Sequence, residues 1–439
     1  MLFTQLDFCT RALPRVVHRR RCLFFSGLAF AITLTTASTV YAAKADTGPL
    51  SLTEAVRLAD AESPAIAARQ AAVESAEDAI VPAGALPDPQ LVAGIDNLPV
   101  TTGDAFSLTD DFMTMRKIGV MQDVPRREKR QLRTERAQAS AAREQAVLTS
   151  ERLSVHESVA RAWIACATAE HRLQLLHELE PRAQAQLAAA TAALSAGRGS
   201  AADGIASKAA QAMLADRISQ AERDVDEARA DFARWLPEAA ERPLGDGANW
   251  SELGVDPDSL LANAAHHREL LAYDAAEKVA TTEVSLARAE KRPDWSVEFD
   301  YAQRGPRYSN MISLEFRVPL PIFPGGRQDP TIASKQAALA QIEAEHEDAR
   351  RMHTAELRKT VAVWRSARDR VERYEHELLP LADDRADATL AAYRGGHGDL
   401  QASLTALDQV IEQRITYTEI QNTLGQAWAA LHFAFPQEH

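Results

Sequence analysis

The amino-acid sequence predicts a mainly α protein with a small β part, in which one unit of helix, β-hairpin, long helix and returning helix occurs twice. Three observations carry this. Some stretches alternate apolar and polar residues with the period of a strand, two very long runs hold almost no glycine or proline, and the same punctuation recurs about two hundred residues apart. Alanine is abundant and aromatics are only 6% of the 439 residues, which favours long helices packed through small side chains over a bulky globular core.

The chain opens on a targeting segment. Arg19-Arg20-Arg21 precede an apolar run from Cys22 to about Leu34, and small residues lead to Val40-Tyr41-Ala42, an A-x-A-like cleavage site. Residues 1–42 are therefore expected to be a signal peptide. Losing their five Arg and one Asp takes the formal charge from −13 to −17, which argues against a basic nucleic-acid surface. Cys9 and Cys22 fall in this segment, so Cys166 is left alone and no intrachain disulfide is expected. Cys22 precedes the apolar run instead of following it, so no lipid anchor is expected. No other stretch has the eighteen apolar residues of a membrane-spanning helix, so any passage through a membrane must be made by strands.

The first repeat is assigned to residues 43–257. Leu52 to about Val81 is amphipathic, with Leu52, Val56, Ala59, Ile66 and Val73 near one face. Ser63-Pro64 interrupts it, and there serine suits a cap and proline a helix start. Leu86-Pro87-Asp88-Pro89 stops the helix. Gln90 to Asp96 and Met115 to Val124 read as a first hairpin around the polar stretch Asn97 to Asp111. From Arg126 to Ala196 there is one proline, Pro181, and no glycine, a helical run of roughly 105 Å at 1.5 Å per residue. Val159, Trp163, Cys166 and Leu173 form a coiled-coil-like seam on it. Gly197-Arg198-Gly199-Ser200 reverses the chain into a helix from about Ala202 to Trp235, and Leu236 to Pro257 reads as a linker.

The second repeat, residues 258–439, starts with a helix expected from Asp258 to about Arg292. Trp295, Val297, Phe299 and Tyr301 then alternate with polar residues, as do Ile312, Leu314, Phe316 and Val318, around the turn-forming Gln303 to Arg307. A run free of glycine and proline from Thr331 to Leu379 continues past Pro380 to Arg394. Gly395-Gly396-His397-Gly398 reverses it into a last helix, Asp399 to about Phe433. Leu357, Val361, Trp364 and Val371 repeat the four, three, seven spacing of the first seam.

Two hairpins supply four strands, too few to close a barrel. An open edge in lipid leaves backbone groups unpaired at several kcal/mol each, so several chains are expected to share one barrel, with the long helices continuing it as a tube.

On these residues the chain resembles the TolC-type outer-membrane efflux channels. The likeness is carried by Leu52-Thr53-Glu54-Ala55 with Ser63-Pro64-Ala65, by Leu86-Pro87-Asp88-Pro89-Gln90-Leu91, by Val318-Pro319-Leu320-Pro321-Ile322-Phe323, and by the turn Tyr393 to Leu400. The Leu86 stretch, with Asn97-Leu98-Pro99 and Met113-Thr114-Met115, looks most like the heavy-metal branch, whose members serve cobalt, zinc, cadmium or copper export. The resemblance implies a homotrimer, with a twelve-stranded barrel in the outer membrane and a helical tunnel across the periplasm. It also implies a periplasmic adaptor at the tunnel tips and a proton-driven inner-membrane pump, with no chemistry in the channel itself. The chain departs from the family where Arg126-Arg127-Glu128-Lys129 follow Pro125 in place of glycine, and in its Ala-rich first tip, Gly199 to Asp203.

The candidate site residues follow. Gly197, Gly199, Gly395, Gly396 and Gly398 can adopt positive φ in tight reversals, and the resemblance makes these turns adaptor contacts. Asp203 and Asp399 are read as helix caps or as carboxylates repeated around a narrow tunnel end, where they would favour cations. Trp295, Val297, Phe299, Tyr301, Ile312, Leu314, Phe316 and Val318 are expected to face lipid. Trp163 and Trp364 are expected in the helical seam. No catalytic, metal or cofactor site is expected. His266-His267 and the pair His346 and His353 lack i, i+4 ligand spacing, Met113 and Met115 read as packing, and no hydrolase or phosphate-binding motif occurs. A drug or polypeptide duct, or a soluble periplasmic coiled-coil scaffold, is the alternative reading.

Overall fold

The computed structural model describes residues 48–101 and 103–436. The signal-peptide assignment lies outside them. Helices α1 (Leu52–Glu62), α2 (Pro64–Asp78) and the short α3 (Ile80–Gly84) lead into strands β1 (Gln90–Asp96) and β2 (Met115–Val124). Ser51 and Ser63 cap α1 and α2, accepting from the backbone N–H of Glu54 and Ile66, with Pro64 at the first helical position.

Helix α4 (Arg127–His177) holds 51 residues and extends about 75 Å. The expected single run to Ala196 divides here, because α5 (Glu180–Ser195) restarts after Glu178-Leu179. Pro181, lacking an N–H and crowding the preceding turn, accounts for the break. Helix α6 (Ala201–Ala233) returns alongside α4 and α5.

In the second half, the helix expected from Asp258 to Arg292 is broken. It comprises α7 (Pro257–Ala262), 3₁₀ turns at Ala264–His266 and Arg268–Leu270, and α8 (Leu271–Ala289). His267 leaves the helical region (φ −59°, ψ 138°), and its Nδ1 accepts from the Glu269 N–H. The break turns Arg268 inward, where it pairs with Glu157 and donates to the Leu153 carbonyl at 3.2 Å. Strands β3 (Trp295–Gln303) and β4 (Met311–Arg317) precede α9 (Gln328–Arg373), a π-helical turn (Tyr374–Leu378), α10 (Leu379–Arg394) and α11 (Leu400–His432). The interval from Trp364 to Pro380 is one residue longer than that from Cys166 to Pro181, and a π turn takes up one extra residue.

The strands form one antiparallel sheet in the order β1-β2-β3-β4, joining the two hairpins through β2 and β3. At its foot, Lys129 is 2% exposed and donates to Glu290 (2.9 Å) and Asp294 (3.0 Å). The Arg126 N–H donates to Asp294 Oδ1 at 2.9 Å. These bonds tie the start of α4 to the start of β3. They give the residues that replace glycine after Pro125 a structural task.

The expected linker from Leu236 to Pro257 is a packed belt, with Pro257 already the first residue of α7. Leu236, Ala240 and Leu253 are buried in the larger apolar core with the seam residues Val159, Trp163, Cys166, Leu357, Val361, Trp364 and Val371. Trp163 donates its indole N–H to the Leu50 carbonyl (3.0 Å), Trp364 to Trp250 (2.9 Å) and Trp428 to Glu252 (2.9 Å). A second core, toward the reversals, joins α5, α6, α10 and α11 through small and branched residues such as Ala183, Ala386, Ala406, Leu214 and Val410. Alanines on facing helices let the backbones approach closely.

Candidate functional site

The sheet has two unlike faces, set by register. Leu91, Val120, Phe299 and Leu314 lie side by side across all four strands, flanked by the row Ala93, Ile118, Tyr301 and Ile312. The large members of this face are between 42% and 73% exposed. Trp295, Phe316 and Val318 are exposed with them, and Val297 is half-buried. Free apolar surface on this scale marks contact with lipid or protein.

The opposite face is polar. Glu298 and Asp300 are buried. Lys117 Nζ lies 3.7 Å from both Glu298 and Asp96, and Arg317 pairs with Glu298 and Glu315. Gly119 stands opposite Asp300 in the β2–β3 ladder. A Cβ there would sit 1.9 Å from Asp300 Oδ1 and 2.5 Å from the Phe299 carbonyl oxygen, so this register needs glycine. Alternation alone reveals the faces in the sequence, but Lys117 and Arg317 as carboxylate partners become visible only with the register. The loops of the two hairpins also meet, since a Cβ on Gly305 would lie 1.9 Å from the Thr109 carbonyl oxygen.

At the far end of the helices, two reversals share one geometry. In the first, the Gly197 N–H donates to Leu194 O and the Arg198 N–H to Ala193 O. In the second, Gly396 donates to Tyr393 O and His397 to Ala392 O. This bond pair closes a helix C-terminus around a residue in the left-handed region. Gly197 (φ 73°) and Gly396 (φ 78°) occupy it. Of the five reversal glycines, the capacity for positive φ is used at Gly197 and Gly396, whereas Gly395 is helical (φ −70°). Gly199 and Gly398 serve by close approach, since a Cβ on either would lie 2.9 Å from backbone of the preceding helix.

Both aspartates cap. Asp399 accepts from the Ala402 N–H, whereas Asp203 is the third helical residue of a capping box, exchanging bonds with Ser200. The two reversals adjoin, with Arg198 Nη1 2.8 Å from where a Gly396 Cβ would stand. Burial, then the charges of Asp203 and Asp399, raise the Tyr393 phenol above its ordinary value.

The histidines divide. His266 is exposed. His267 stacks on His353 with ring centroids 4.8 Å apart. Burial, then the neighbouring His353 and Arg268, depress the His267 pKa to about 4 from 6.5. A base whose folded pKa is lowered contributes stability that is full above its unfolded pKa and declines as pH falls toward its folded one. Melting temperature is therefore expected to drop between pH 6.5 and 4, and His267→Gln is expected to flatten that slope. An unchanged slope in the variant would refute the assignment. Burial pushes the Cys166 thiol up to about 12, so it is inert in the core. His346 sits in a group with Asp274 and Glu277 that sequence spacing does not reveal, because the residues come from different helices. Met113 is exposed in the first hairpin loop.

The family model described as outer membrane efflux protein matches residues 55–236. Among solved structures, the chain is similar to CusC, described as forming a transmembrane channel (13% identity, 88% of this chain and 92% of that one, TM-score 0.72). It is also similar to the outer membrane protein VceC of Vibrio cholerae (17%, 87% and 95%, TM-score 0.71). A third is the CmeC outer membrane channel of Campylobacter jejuni (12%, 88% and 87%, TM-score 0.73). No curated protein matches the sequence. The chain thus has the fold of these outer-membrane channel proteins, and residues 55–236 carry the sequence pattern of the outer membrane efflux proteins.

Proposed function

We propose that this chain is one protomer of a homotrimeric outer-membrane exit duct, joined through a periplasmic adaptor to a proton-driven inner-membrane pump. The observation that carries the proposal is the sheet: four strands, an apolar outer face, a charged inner face, and no partner along the outer edges of β1 and β4 among the described residues. Three copies supply twelve strands and pair every edge, which lipid requires. Strands β2 and β3 hold 10 and 9 residues, close to the ~9–11 that a tilted strand needs to cross a bilayer. Fractionation tests the reading. A detergent-requiring trimer in the outer membrane is expected, and release by osmotic shock alone would sink it in favour of a soluble scaffold.

The reversals at Gly197, Gly199, Gly395, Gly396 and Gly398 are the surface offered to the adaptor. The cargo we assign is heavy-metal cations, supported by the acidic inner face and by Asp203 and Asp399 at the narrow end, where three copies favour cations. Asp399→Ala is expected to raise single-channel conductance or lower cation preference in planar bilayers. It also costs about 1 kcal/mol of capping. Unchanged conductance and selectivity would remove Asp399 from the gate. Loss of the gene is expected to sensitise cells to zinc, cobalt, cadmium or copper. Sensitivity to drugs alone would overturn the cargo.

A further inference from the structure

Away from the sheet and the tips, the start of α8 meets the middle of α9. Asp274 and Glu277 stand three residues apart on α8, hence on the same side of the helix, and His346 reaches them from α9. Their ligand-capable atoms all lie within 4.8 Å of one another. Two features give the group more than proximity. The His346 ring is held in place, stacked on Tyr273 with centroids 5.0 Å apart at 14° and bonded through Nδ1 to Glu277 Oε1 at 2.6 Å. Asp274, in turn, has no cationic partner among the described residues, so two carboxylates converge on one imidazole with nothing else to neutralise them. A divalent cation placed among them would be attracted by both carboxylates at once.

We propose that Asp274, Glu277 and His346 form a binding site for a divalent transition-metal ion of the Zn²⁺ or Co²⁺ type. An imidazole with two carboxylates suits borderline metals better than Ca²⁺ or Mg²⁺, which prefer oxygen alone. Bonds of about 2.0–2.2 Å place such ligands roughly 3.3 Å from one another, so the exposed Asp274 swings inward while the 2.6 Å bond from His346 Nδ1 to Glu277 opens and its proton is released to solvent as the metal binds. Three protein ligands leave a position open to water or exchange. The site also clamps α8 to α9 where Lys335 and Glu283 pair at 2.7 Å further along.

The proposal does not depend on the channel reading, because binding is measured on the purified protein without transport. The full chain, free of any histidine tag and stripped with chelator in detergent, is titrated with Co²⁺ by visible absorption and with Zn²⁺ by calorimetry. Wild type is expected to take up one ion per chain at this site. His346→Ala and the volume-preserving Glu277→Gln are each expected to weaken that binding at least tenfold, with gel-filtration profile and melting curve retained without metal. His353→Ala, seven residues further along α9, is expected to leave it unchanged. Absence of binding in wild type, or equal binding in wild type and both site variants, would overturn the proposal.

Discussion

Leu314→Arg is expected to abolish assembly into the outer membrane, while Ser313→Arg, its immediate neighbour, is expected to assemble normally. Leu314 lies in the middle of β4, in the apolar row with Leu91, Val120 and Phe299. A guanidinium at the midplane of a lipid-facing strand costs about 2–4 kcal/mol, and the proposed trimer would incur it three times. Ser313 points the other way and pairs with Asp300 across the β3–β4 ladder. Asp300 Oδ1 is buried without a hydrogen-bond partner, so an arginine at 313 gains a carboxylate where Leu314→Arg meets only lipid. The check is the amount of heat-modifiable trimer recovered from the outer-membrane fraction for each variant. Normal assembly of Leu314→Arg with failure of Ser313→Arg would mean that the faces are reversed; normal assembly of both would mean that lipid does not cover the sheet.

The same register explains why both faces coexist on so few strands. The middle of the apolar face is continuous across the joint between the two hairpins because the alternation of β2 and β3 stays in phase, Ile118 opposite Tyr301 and Val120 opposite Phe299, while Arg116 with Gln303 and Gln122 flank it toward the strand ends. The polar face holds Lys117 and Arg317 among four carboxylates, Asp96, Glu298, Asp300 and Glu315, so its charge remains acidic after pairing. An aqueous lumen tolerates that excess, and a dry protein interface does not.

Periodicity makes the strands and the long helices legible in the sequence alone, because both rest on local pattern: alternation in Trp295 to Tyr301, and the absence of breakers between Arg126 and Pro181. Three features depend on contacts between residues far apart in the chain and are hidden there. The belt resembles a linker because prolines, glycines and acids mark its composition, while it is held by Trp163 against Gly247 and by Trp364 and Trp428 bonded to Trp250 and Glu252, tryptophans on three separate helices. The break at His267 lacks a glycine or proline to announce it, and is held by Arg268 reaching Glu157 and Leu153. At the tips, glycine content is visible, but which glycine takes positive φ depends on where each helix ends. The metal-ligand group escapes for the same reason as the belt: Glu277 and His346 are 69 residues apart.

Trp163→Ala is expected to lower stability by about 3–5 kcal/mol through lost packing, with a further ~1 kcal/mol for the lost hydrogen bond to the Leu50 carbonyl, which keeps the Gly245 N–H as its other donor. The indole is 2% exposed, donates to Leu50 O at 3.0 Å, and abuts Gly247, where a Cβ would sit 3.0 Å from the ring. It therefore fixes the N-terminal segment and the belt to α4 at once. Trp163→Phe keeps most of the packing and loses the donor, so its destabilisation is expected to fall near the hydrogen-bond cost alone. Gly247→Val approaches the same contact from the belt side and is expected to loosen it by crowding the ring. Melting of the detergent-solubilised protein, followed by circular dichroism, orders the variants: wild type most stable, Trp163→Phe next, Trp163→Ala least. Equal melting of Trp163→Ala and wild type would show that the belt is carried by the helices and does not brace them.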